Sequence, residues 1–281
     1  MSLLTYLFTT TNMSAQKTIS GFNHIESVAT DGKYLYVADI GKELAPFAKD
    51  QDGKIIVLDS MGKTIKPSFT TEQLNAPKGL AIDNGVLYTN DIDRIIAFDL
   101  KTGKKRYEIN FENETSFLND IAVWDKNTLY VSATDKSKLF KVDLIHKTFS
   151  EIKIDTTIPG INGLFCSKKG SKLYVNGFGT DNKPNGILGY VNLQNNKFTL
   201  LTDKKGYYDG IQLHNETLYF SDWVTFEKKG ILFSVPSSSG KLSVVKTLEP
   251  ISGPADFTIF NNQIIVPGMM DGTLLFVPIK K

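Results

Sequence analysis

With 281 residues, 41% of them hydrophobic, the chain is long enough to bury a substantial core. Its formal net charge is only +2, and basic and acidic residues interleave, so neither nucleic acid nor a membrane surface is an expected partner. A single cysteine, Cys166, excludes an intramolecular disulfide framework and a cysteine zinc cluster, and no stretch approaches the ~18 apolar residues of a membrane span.

The chain opens with "LLTYLFTTTNMSAQ", a short apolar run ending at the small residue Ala15. Residues 1–16 read as a leader or the remnant of a signal peptide, which favours a periplasmic or secreted location over the cytoplasm. "KTISGFNH" follows, strand-like from Thr18 to Phe22. Then a unit repeats six times: "SVATDGKYLYVAD" (27–39), "GLAIDNGVLYTND" (79–91), "DIAVWDKNTLYVSAT" (120–134), "GLFCSKKGSKLYVNG" (163–177), "GIQLHNETLYFSD" (210–222) and "DFTIFNNQIIVPG" (256–268).

Each unit is a strand, a polar turn such as Asn84-Gly85 or Asn215-Glu216, and a second strand, which in five of the six carries Leu-Tyr. A third strand follows ("KIIVLD", "RIIAFD", "KLFKVD", "ILGYVN", "ILFSVP", "TLLFVP"), and a turn and fourth strand follow in the first five units. The aligned residues Glu26, Lys78, Asn119, Asn162, Asp209 and Ala255 are separated by 52, 41, 43, 47 and 46 positions. Four strands on a period of about 40–50 residues predict an all-β, six-bladed β-propeller with four-stranded blades. The sixth unit ends after its third strand, so the segment before the first unit is expected to complete blade six and close the ring. Residues 17–281 then form a single propeller domain.

In a propeller the first strand of each blade lines the central channel, so the six aligned residues converge at its mouth. Four of them, Glu26, Asn119, Asn162 and Asp209, offer side-chain oxygens, the donor type that a hard cation such as calcium takes. None is His or Cys, which disfavours a zinc-type site. The connections after the second strand are long at 39–53, 177–186 and 222–230. They and blade six bring Phe47, Phe178, Trp223, Phe226, Met269 and Met270 toward the same face, either as a partly apolar substrate wall or as residues that pack the loops on one another. His24 lies two residues before Glu26, and no G-x-S-x-G motif is present.

"HIESVATDGKYLYVAD", "GINGLFCSKKGSKLYV" and "YYDGIQL", in this order among the repeats, resemble the senescence-marker-protein-30/gluconolactonase/luciferin-regenerating-enzyme-like family of six-bladed propellers. The resemblance implies one divalent cation held by Glu26, Asn162 and Asp209, with Asn119 of "FLNDIAV" near the metal and the substrate. It implies hydrolysis of a small-molecule lactone or ester. Asp209 and Asn119 are then the candidate catalytic residues, and Asn119, Lys78, Phe178, Trp223 and Met269 the candidate substrate contacts. The chain departs from the family in "IESV", where "GEGP" is usual, and in Phe117, where an arginine is common; Lys78 could replace that charge or pair with Glu26. The alternative expectation is a non-catalytic propeller that binds a small ligand or a protein and keeps a structural cation.

Overall fold

A computed structural model describes residues 15–238 and 240–279, so the expected leader lies outside them except for Ala15 and Gln16. The strands form six four-stranded antiparallel sheets. Their inner strands are Ile25–Thr30, Pro77–Asp83, Leu118–Asp125, Ile161–Ser167, Tyr208–His214 and Thr258–Phe260, for blades one to six. The first five sheets each run in chain order from inner to outer strand. Blade six closes as expected: Lys17–Ser20 pairs with Thr273–Pro278, Lys17 opposite Phe276 and Ser20 opposite Thr273.

The Leu-Tyr repeat has a direct physical reading. Neighbouring residues on a strand point to opposite faces. Each leucine packs against the preceding blade and each tyrosine against the following one. Leu87 lies in the apolar layer shared with Tyr36 and Ile55 of blade one, and Tyr88 in the layer shared with Leu129 and Val131 of blade three. Leu173 and Tyr174 likewise divide between blades three and five. In the sixth unit Ile264 and Ile265 make the same split. Six apolar layers result, one between each pair of adjacent blades, including the layer where Ile265 and Phe276 of blade six meet Leu35 and Val37 of blade one. All five repeat leucines (Leu35, Leu87, Leu129, Leu173, Leu218) are 0% exposed.

Three of the hairpin turns follow their sequences directly. Asn84-Gly85, Asn215-Glu216 and Asn261-Asn262 have positive φ at both residues, the geometry that matches a two-residue connection to strand twist.

Candidate functional site

The six aligned residues differ in one respect from the expected placement. In the first five blades each is the second residue of its inner strand rather than the residue before it. There the pairing register with the second strand slips, between Ile25 and Ser27, Pro77 and Leu80, Leu118 and Ile121, Ile161 and Leu164, and Tyr208 and Ile211. A bulge re-aims side chains and frees a residue from the ladder. It is repeated five times around the channel mouth.

A polar belt on the second strands holds these bulges. The Asn176 amide donates to the backbone carbonyl of Asp209 at 2.7 Å and accepts from Gly163 N–H at 3.0 Å. Asn90 donates to the Asn119 carbonyl at 2.9 Å, the Ser132 hydroxyl accepts from Asp120 N–H at 2.9 Å, and Ser221 accepts from Gly210 N–H at 2.8 Å. These four residues occupy one aligned position, two after the tyrosine of Leu-Tyr, so their signal was present in the repeat. One place further on, Asp39, Asp91 and Asp222 are fully or almost fully buried and accept backbone N–H groups of the segments that enter the inner strands.

Glu26, Lys78, Asn119, Asn162 and Asp209 all line one cavity of about 670 Å³, together with Phe47, Phe117, Phe178, Trp223, Phe226, Met269 and Met270. Five of the six aligned residues are gathered there. Ala255 and His24 do not line it; His24 Nδ1 lies 3.2 Å from the Gly41 carbonyl. The walls are aromatic on two sides. Phe47 and Phe117 meet at 4.6 Å on one, and Phe178, Tyr207, Trp223 and Phe226 form a cluster with centroids 5.2–6.1 Å apart on the other.

The floor is polar and unsatisfied. Among the described residues six buried side-chain oxygens lack a hydrogen-bond partner, and four of them are Glu26 Oε2, Asn119 Oδ1, Asn162 Oδ1 and Asp209 Oδ1. Such groups are costly to bury and call for a partner. The set fits a hard cation: two carboxylates and two amide oxygens, with room for water. No three His, Cys, Asp or Glu side chains come together as a cation-binding group among the described residues, so amide oxygens would have to supply half of the side-chain donors.

One step deeper in sequence lie Asp120 and Asp256. Asp120 accepts backbone N–H groups from Ile121 and Leu164, both at 2.6 Å, and Asp256 accepts the Ser27 hydroxyl at 2.8 Å while its Oδ1 stays unpartnered. Sequence reading passed over both. Burial, and then the charge of neighbouring carboxylates, holds Glu26, Asp120 and Asp209 well above the ordinary carboxylate range. Burial raises Asp256 to about 7.

Lys78 is the cation facing this group. It is 1% exposed, and burial lowers its pKa to about 8 against the pull of Glu26. Its ammonium donates to the carbonyls of Pro46 at 2.8 Å and Ala76 at 3.2 Å and sits 4.5 Å from the Phe117 ring centroid. Lys78 thus rests on the residue that stands where the resembled family often has an arginine, and acts on Glu26 through space.

No protein-family model and no curated protein matches the chain. Solved structures share its architecture. Virginiamycin B lyase from Staphylococcus aureus is 13% identical, with a TM-score of 0.64 over 93% of this chain and 98% of that one. A structural genomics protein of unknown function from Bacteroides thetaiotaomicron is 11% identical, with a TM-score of 0.66 over 93% and 75%. A chain of a nidogen/laminin complex is 15% identical, with a TM-score of 0.60 over 86% and 84%. At these identities the likeness is one of fold, and the fold of this chain is the six-bladed β-propeller.

Proposed function

We propose that the chain is a divalent-cation-dependent hydrolase of a lactone or ester, with calcium the best-matched ion and Glu26, Asn162, Asp209 and Asn119 its side-chain donors. The observation that carries this reading is the set of four buried, unpartnered oxygens on one cavity floor. The motif resemblance to the gluconolactonase-like family supports it, and one of the fold neighbours is an enzyme by name, a lyase.

When bound, such a cation supplies polarisation of a carbonyl and acidification of a water. Asp209, which presents an unpartnered carboxylate oxygen to the cavity, takes the proton of the attacking water while staying beside the cation. Water adds to the carbonyl carbon, the acyl C–O bond breaks, and Asp209 returns the proton to the departing alkoxide. Asn119 orients the carbonyl or steadies its developing negative charge. Two aromatic walls favour a substrate less polar than a sugar acid.

The test is a panel of lactones and esters offered to chelator-stripped protein with and without added calcium. Calcium-dependent turnover that is lost in Asp209→Ala and Glu26→Ala supports the reading. Calcium binding without turnover on any member of the panel favours the non-catalytic binding propeller instead.

A further inference from the structure

Asp209 and Trp223 belong to one hairpin. Tyr208 pairs with Asp222 across it, and Trp223 N–H donates to the Tyr207 carbonyl at 3.0 Å. That register sets the indole beside the carboxylate, and its Nε1–H donates to Asp209 Oδ2 at 2.9 Å. Both residues are buried, at 6% and 4% exposure, so the bond is made out of water. It holds one carboxylate oxygen and leaves the other, Oδ1, without a partner.

The indole cannot readily turn away. Phe178 meets it edge-on at 5.3 Å and 85°, and Phe226 lies at 6.0 Å. Behind it stands Gly253, at φ +66; a Cβ there would lie 3.0 Å from Trp223 Cη2, so only glycine suits both the backbone and the ring. A donor locked by packing is what a site needs to keep a ligand oxygen in one orientation.

We propose that Trp223 is the positioning residue of the site: its indole N–H fixes Asp209 by Oδ2 so that Oδ1 remains presented to the cation. This rests on the cation reading above. Trp223 thereby joins the aromatic wall to the polar floor, and a change in either is felt by the other through one hydrogen bond.

The chain has two tryptophans, so Trp124→Phe leaves Trp223 as the sole indole. In that background the ¹⁵N-indole resonance is recorded with and without Asp209→Ala, and calcium affinity is measured by calorimetry. The indole proton is expected to move upfield when Asp209 is removed. Trp223→Phe, which keeps a ring and deletes the donor, is expected to weaken calcium binding about tenfold, the low end for loss of a ligand's supporting hydrogen bond. Trp124→Phe should bind as the wild type does. An indole resonance indifferent to Asp209, or an unchanged calcium affinity in Trp223→Phe, overturns the proposal. If Trp223→Phe does not fold, the resonance alone decides. A wild type that takes up no calcium overturns the cation reading and this role together. That failure is recognised because the other two leave wild-type binding intact.

Discussion

Asn176 of blade four grips the backbone carbonyl of Asp209 in blade five at 2.7 Å, and with its other amide atom the N–H of Gly163, the neighbour of Asn162. One buried side chain thus holds two of the proposed ligands in register across a blade boundary without touching the cavity.

Asn176→Ala should therefore cost stability and cation affinity together. It leaves two buried backbone groups unpaired, each worth about 1–3 kcal/mol. Urea unfolding and calcium calorimetry on the same sample check this. Stability lost with affinity intact would show that the bulges hold without the belt.

The carboxylates at the mouth set a pH dependence whose sign follows from their shifts. Asp256 has its pKa raised in the folded protein, from 3.8 to about 7. It therefore binds a proton more tightly folded than unfolded. The stability this contributes is fully present below about pH 4 and is lost as pH rises through about 7. Glu26, Asp120 and Asp209, which share the channel with it, act in the same sense. Lys78, lowered to about 8, works oppositely only above that pH. Chelator-stripped protein should melt at a lower temperature at pH 7.5 than at pH 5.5, and calcium should reverse the order. Asp256→Asn, whose amide oxygen can still accept the Ser27 hydroxyl, should flatten the stripped protein's profile. Differential scanning calorimetry across that range decides it.

Lys78→Met should tighten calcium binding severalfold. It removes a buried positive charge that acts on Glu26 and leaves a chain of similar bulk against Phe117. Titration at low and high salt is the check. Weaker binding in the variant would instead assign Lys78 to holding the Pro46 segment in place through its hydrogen bond.

Leu87→Ala tests the blade layers. Leu87 is 0% exposed between blades one and two, and truncating a leucine in such a place costs about 2–5 kcal/mol. The chemical-denaturation midpoint should fall accordingly, with calcium affinity near the wild-type value.

The fold was legible because a propeller writes its period into the chain. Leu87-Tyr88 and its counterparts must alternate between two neighbouring layers, and that alternation needs no long-range knowledge to read. The mouth residues were legible for the same reason, since one aligned column collects them. What escaped lay outside that column or between its members. Asp256 and Asp120 sit one place deeper, and their partners, the Ser27 hydroxyl and the Leu164 N–H, come from neighbouring blades. Asn176 and Ser221 occupy a second column that bonds both its own inner strand and the neighbouring blade. Trp223 was read as a pocket wall. Its bond to Asp209 depends on hairpin register and side-chain torsion together, and neither is a property of residue type.

The pairing of Lys17–Ser20 with Thr273–Pro278 also governs how the molecule can be made. During synthesis the earliest of these strands leaves the ribosome with nothing to pair with. The intervening blades can assemble as local hairpins, each soon after it emerges. The last layer, between Ile265 and Phe276 on one side and Leu35 and Val37 on the other, waits for the far end of the chain. Until then an apolar sheet face and an open strand edge stand exposed, the condition under which partly made β-proteins associate with one another. Completion of the ring is the most non-local event in the structure, and by the relation between sequence separation and rate it should be the slow step of folding.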